Sequence, residues 1–231
     1  MTVRTWKIKV NCLEYISNRF NNLRILIKFA VACFKKEGIL NLLRELRIRL
    51  IWIQKVIVLE KSLQEPVPNL RTSVPIEIAK ATLKDIQQGT DNGLKELVGE
   101  DGLFRFQYRL SKGHECFLAF QRGKVVHYSW VCYRGKRLKL AGLRNGSPFI
   151  YDCLTSKNVR GKGIFPCILA FICNYLKNAN NAKVTTDTNP NNIPSLKGIK
   201  KVGFKERKFT SFFGFLGYCI FKRIKVLDQE N

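Results

Sequence analysis

The chain has 231 residues, 45% hydrophobic and 25% charged, enough for one well-buried core or one domain with an extension. Its net charge of +24 favours anionic partners, whether nucleic acid, an anionic membrane surface or phosphorylated small molecules, without choosing among them. Two histidines exclude a His-rich metal site, and eight cysteines without a C-x-x-C pair exclude a zinc or disulfide framework, so no metal is expected.

The cysteines sit in apolar runs such as Cys116-Phe117-Leu118 and read as buried reduced thiols. No signal-peptide pattern and no run of about twenty apolar residues is visible, which predicts a cytoplasmic chain without a spanning helix. Residues 20–36 read as a helix with Leu23, Ile27, Ala30 and Phe34 on one face, and residues 39–51 as a second helix. The β-branched run at residues 55–60 predicts a strand, and the prolines at 66 and 68 mark a linker. This divides the chain into a basic helical extension (1–63), a linker (64–72) and a main domain (73–231).

In the main domain, residues 74–79 alternate as a strand does, and Thr82 is placed to cap a helix. Helical stretches follow at 94–98 and 104–110. Strands at 115–120 and 124–133 are joined by a three-residue turn at Gln121-Arg122-Gly123. Residues 148–155 form a strand, 163–177 a helix, 182–186 a strand and 193–202 a helix. Residues 204–225 form one long strand, or a pair bent at Gly214 and Gly217. Strands and helices in this order predict an α/β fold with a mixed sheet flanked by helices.

The strand at 148–155 runs through Ser156-Lys157-Asn158-Val159 into Arg160-Gly161-Lys162-Gly163-Ile164 and a helix. Two glycines let the backbone turn its amides toward one point, and a helix N-terminus with Arg160 and Lys162 beside it favours an anion such as a pyrophosphate. Such a motif is also met as an ordinary left-handed turn with solvated basic residues. Downstream stand Asn192-Ile193-Pro194-Ser195 and Lys201-Val202-Gly203-Phe204.

Together these segments resemble the GNAT acetyltransferases, whose signature is Arg/Gln-x-x-Gly-x-Gly/Ala after the fourth core strand, then an N-x-x-S helix ending in K-x-G-F. The resemblance covers residues 74–225, including the opening strand and helix at 75–85 and the central hairpin. Phe165 departs from it, standing where glycine or alanine is usual. The resemblance implies a mostly antiparallel GNAT sheet and acetyl-CoA, or another acyl-CoA, as co-substrate. Backbone groups of Leu154 and Thr155 should bond the pantetheine, and Arg160, Gly161, Lys162, Gly163 and Ile164 the pyrophosphate. Asn192 and Ser195 should lie near the arm, though Asn192 equally suits an N-cap. A backbone N–H of the fourth strand should stabilise the oxyanion. The tyrosine that serves many of these enzymes as acid is replaced by Ile199.

For the general base, Asp152 is the first candidate, because a carboxylate in an apolar strand needs a reason; pairing with a neighbouring Lys or Arg is the competing one. Asp187 is the second. His114 reads as a loop or capping histidine, and Cys153 as a buried strand thiol. The leading expectation is N-acetyl transfer to an unidentified amine, a small molecule such as an amino sugar or a protein. The alternative is a GNAT fold without catalysis that binds nucleic acid or an anionic membrane. The N-terminal helices could lie peripherally on that membrane or pack on the main domain. The segments 134–146 and 208–217 are expected to choose the acceptor.

Overall fold

The computed structural model describes residues 4–5, 51–87, 92–215 and 218–227. The helices expected at 20–36 and 39–51 lie outside the described residues, apart from Ile51, which opens a strand rather than closing a helix. The strands are β1 (Arg4–Thr5), β2 (Ile51–Ser62), β3 (Glu77–Lys80), β4 (Glu115–Gln121), β5 (Lys124–Cys132), β6 (Phe149–Thr155), β7 (Lys183–Thr188), β8 (Lys205–Phe215) and β9 (Tyr218–Val226). The helices are α1 (Leu83–Gln87), α2 (Leu94–Val98), α3 (Glu100–Ser111), α4 (Lys136–Ala141), α5 (Ile164–Asn178) and α6 (Ile193–Lys201). They form two compact units, which divide at Val56/Ile57 and Arg207/Lys208.

In the unit Ile57–Arg207 the strands run in the order β2-β7-β6-β5-β4-β3. Every neighbouring pair is antiparallel except β6 with β7. The mixed, mostly antiparallel sheet expected from the sequence is therefore what forms. Central strand β5 is buried on both faces from Val125 to Cys132, and its two polar residues within that run, His127 and Ser129, are buried with the rest. One face carries Tyr128 and Trp130, against which Phe106 of α3 packs edge-on at 5.0 and 4.8 Å. The other face is covered by α5, whose Ile164, Ile168, Ile172 and Leu176 recur at helical spacing and are buried.

Local chemistry sets the element ends. Thr82 caps α1 reciprocally: its Oγ1 accepts from the Asp85 N–H (3.3 Å), and Asp85 Oδ2 accepts from the Thr82 N–H (2.6 Å). The β4–β5 hairpin turns on two residues, not three: Gln121 pairs with Lys124, and Arg122 and Gly123 both take positive φ, as a tight hairpin requires. Helix α4 was not legible in the basic segment 134–146. At the far end of the sheet, Glu115 accepts hydrogen bonds from Tyr133 (2.6 Å), Tyr175 (2.9 Å) and Lys80. Burial acts against its ionisation, but these donors outweigh it and hold the carboxyl below its ordinary range.

In the other unit, β9 pairs antiparallel with both β1 and β8, and the ladder shifts register between Phe213 and Gly214. The stretch 204–225 is thus a pair of strands, the bent form of the two expected.

Candidate functional site

Between β6 and α5 the chain makes a single turn of 3₁₀ helix (Lys157–Val159), extends at Arg160, and takes left-handed φ at Gly161 (77°) and Gly163 (78°). Gly163 caps α5. Alternating left- and right-handed residues turn successive N–H groups toward one side, a concave arrangement that suits an anion. The N–H groups of Gly161, Lys162, Gly163, Ile164 and Phe165 have no hydrogen-bond partner among the described residues. Pro166, third in the helix, removes only a donor that would have been orphaned as well.

The two glycines differ in surroundings. A Cβ on Gly161 would meet open space, whereas one on Gly163 would stand 3.2 Å from the carbonyl oxygen of Arg71. The segment around Arg71 is tied down there, since the Ser73 N–H donates to the Lys162 carbonyl (3.0 Å). Arg160 is exposed, and its Nε donates to the Thr155 carbonyl (3.1 Å), closing the loop on the end of β6.

Strands β6 and β7 are parallel, but pair only at Phe149↔Thr185 and Ile150↔Thr186. Thr186 Oγ1 donates to the Ile150 carbonyl (3.1 Å) at the last paired position. Beyond it β6 runs on to Thr155 without a β7 partner, which leaves a gap between two strand edges. The Ser156 N–H bonds Val126 on β5, so by alternation Leu154 also faces β5 while the Thr155 backbone faces the gap. Of the two backbone positions expected to bond an extended ligand, Leu154 is engaged in the sheet, while Thr155 turns its N–H to the gap and its carbonyl accepts from Arg160.

A bulge interrupts β6 where Tyr128↔Leu154 gives way to Trp130↔Tyr151, so that Asp152 and Cys153 oppose one residue of β5. Asp152 carries the bulge at φ 48°, a left-handed conformation that Asp and Asn tolerate better than most residues. Its Oδ2 lies 2.5 Å from Arg109 of α3. Pairing with arginine is therefore the physical reason for a carboxylate in this strand. Arg109 also lies over the rings of Trp130 (5.2 Å) and Tyr151 (5.3 Å).

Around this pair lies a pocket of ≈ 420 Å³, with Leu97, Val98 and Leu154 among its apolar walls and Arg105, Arg109 and Asp152 as its charges. Sequence reasoning passed over Arg105 and Arg109. Their i, i+4 spacing puts them on one helix face, but the sequence does not show that this face meets Asp152. His114 meets the Tyr151 hydroxyl (2.5 Å), and burial followed by the charges of Arg109 and Arg134 lowers its pKa. Burial pushes the Cys153 thiol up to about 12, which makes it a poor nucleophile.

On the opposite face, buried His127 lies 2.7 Å from Thr155 Oγ1 and 2.8 Å from Ser129 Oγ. Burial lowers its pKa to about 3, so it is neutral at physiological pH. Phe165 packs near the His127 ring (5.9 Å) and turns toward Gly198 of α6. Asn192 caps α6, its Oδ1 accepting from the Ser195 N–H (3.3 Å). Ile199 is buried, and Asp187 sits on β7 opposite Val58.

No protein-family model matches the chain, and no curated protein matches it. Among solved structures it is similar to a GNAT-family acetyltransferase from Colwellia psychrerythraea, at 14% identity and a TM-score of 0.52. That match covers 71% of this chain and 57% of the other, so the chain spans little more than half the length of the Colwellia protein. A GCN5-related N-acetyltransferase-like protein from Streptococcus suis matches at 14% identity and a TM-score of 0.49, over 78% of this chain and 68% of that one.

Proposed function

We propose that this chain, which has the GNAT fold, is an acyl-CoA-dependent acyltransferase that passes an acetyl group to an amine. The observation that carries the reading is the run of five unpartnered amides at the start of α5, beside the gap where β6 and β7 part. A pyrophosphate fits the first and an extended pantetheine arm the second, with the Thr155 backbone as an added strand edge. Gly161 leaves the concave face open, and Lys162 adds charge. Phe165 does not obstruct this fit from the helix side, because it packs toward Gly198.

Within this reading the amine nitrogen forms the new C–N bond as the thioester C–S bond breaks. A bound ammonium first gives one proton to water, which frees the lone pair that attacks; the electron pair of the broken C–S bond leaves with sulfur, which takes up a proton from solvent, and the nitrogen gives its second proton to water. Ile199 supplies no acid, so the thiolate leaves unassisted. Asp152, held by Arg109, orients and attracts an ammonium rather than serving as a strong base. An amino sugar is one small amine of suitable size.

The test is calorimetric titration with acetyl-CoA of the wild type, Gly161→Asp and Gly161→Asn. Both substitutions tolerate the left-handed turn, but only Asp places a carboxylate in the cradle. Micromolar binding by the wild type, kept by Asn and lost by Asp, supports the reading. A folded wild type that does not bind acetyl-CoA overturns it. The net charge of +24 favours a second reading, polyanion binding without catalysis, at nucleic acid or an anionic membrane. It predicts salt-sensitive retention on heparin together with no affinity for acetyl-CoA.

A further inference from the structure

The pocket beside Asp152 has a charge pattern that the transfer reaction does not itself require. Its volume of ≈ 420 Å³ lies toward the small end of ligand sites, so it holds a molecule of a few carbons or a single sugar. Two arginines and one carboxylate face it. Asp152 neutralises Arg109 through Oδ2, while Oδ1 has no hydrogen-bond partner among the described residues and can accept one more donor. Arg105, one helical turn from Arg109, has no acidic partner among the described residues; Asp101, four residues before it, forms no ion pair with it. The pocket therefore presents one unmatched cation and one carboxylate oxygen, with Leu97, Val98 and Leu154 among its apolar lining.

We infer that this pocket binds a small amine that also carries an anionic group, a carboxylate or a phosphate, with Arg105 as the anchor for the anion and Asp152 as the partner of the ammonium. A guanidinium fork matches either anion through two parallel hydrogen bonds. A neutral amine would leave Arg105 unpaired, and an anion without an amine would leave Asp152 Oδ1 unpaired; the zwitterion satisfies both. Leu154 lines the pocket from β6, and the neighbouring Thr155 backbone faces the strand gap, so a bound amine lies beside the strand along which the acyl thioester would run. The inference rests on the transferase reading for the identity of the ligand as an acceptor, but not for its binding.

The experiment titrates the full chain at low ionic strength with two matched pairs, β-alanine against β-alaninamide and O-phosphoethanolamine against ethanolamine, without acetyl-CoA. The expected result is at least tenfold tighter binding of the anionic member of one pair or both, the two pairs telling a carboxylate from a phosphate. Arg105→Gln should reduce that ratio to near one while leaving the neutral member unchanged. Lys177→Gln, exposed on α5, should leave the ratio intact. Equal affinity within both pairs, no binding at all, a ratio that survives Arg105→Gln, or an equal loss in Lys177→Gln would each overturn the inference. Discrimination without acetyl-CoA binding would sink the transferase reading and keep the pocket; the reverse would sink the pocket alone.

Discussion

Gly198 of α6 lacks the one methyl group that would stand 2.9 Å from Cδ1 of Phe165 on α5. Two positions that look unrelated in sequence are thus a matched pair. Bulky Phe165 stands in the first turn of α5, and a glycine in the middle of the next helix makes room for it. A helical glycine costs about 1 kcal/mol relative to alanine, so its presence calls for such a reason.

The first prediction follows from that contact. Gly198→Ala gains helix propensity but overpacks against Phe165, and the net effect should be a loss of about 1 to 2 kcal/mol by urea denaturation. Adding Phe165→Leu should recover part of the loss, because the shorter side chain relieves the clash. Stabilisation by Gly198→Ala alone would show that α5 and α6 do not meet as described.

The loop before α5 separates two glycines that sequence treats alike. Both take left-handed φ, so alanine at either costs about 1 kcal/mol of backbone strain. At Gly161 nothing further is met, whereas at Gly163 the new Cβ presses on the Arg71 carbonyl at 3.2 Å. Gly163→Ala should therefore destabilise measurably more than Gly161→Ala in the same denaturation assay. Equal losses would show that the segment around Arg71 yields freely.

Much of this arrangement was legible in the sequence because it rests on local signals. Thr82 caps a helix as the sequence placed it, Asp85 completing the cap reciprocally, and the Gly161/Gly163 turn opens a helix where the pattern placed it. The β5 run of apolar residues was readable as a strand for the same reason. What stayed hidden depends on register and on distance along the chain. The bulge at Asp152 exists only relative to β5, and it decides that Leu154 faces the sheet while Thr155 faces the gap. The Arg109–Asp152 pair joins residues 43 positions apart, and nothing local marks it. Helix α4 follows Gly135 in a basic segment whose local signals read as a loop; its buried Leu138 contributes to the core.

The bulge can be tested apart from its ion pair. Asp152→Asn keeps a side chain that tolerates φ 48° but removes the charge, leaving Arg109 without its carboxylate; the cost should be about 1 kcal/mol because both groups remain partly solvated. Asp152→Val removes the charge and also forces a β-branched residue into a left-handed conformation, adding about 1 to 2 kcal/mol. The difference between the two variants, measured by chemical denaturation, isolates the backbone. If Asn and Val cost the same, β6 does not bulge at this residue.

His127 gives the protein a pH dependence whose sign is fixed by its burial. Its folded pKa is depressed to about 3, against an ordinary value of 6.5. Above pH 6.5 neither state holds the proton and the group is neutral in both. As pH falls below 6.5 the unfolded chain binds a proton that the folded chain refuses until about pH 3, so stability is lost at about 1.4 kcal/mol per pH unit over that window. Carboxylates titrate in the same range, and Glu115 adds its own loss lower down, so the measurement must be a difference. Wild type and His127→Gln should be unfolded by urea at pH 7.5 and at pH 4.5. His127→Gln keeps a donor and an acceptor for Ser129 and Thr155 while removing the titration. The wild type should lose about 2 to 3 kcal/mol more than the variant between the two pH values. Parallel losses in the two proteins would mean that His127 is protonated in the folded state, and that the Ser129–His127–Thr155 contacts exist in a charged form.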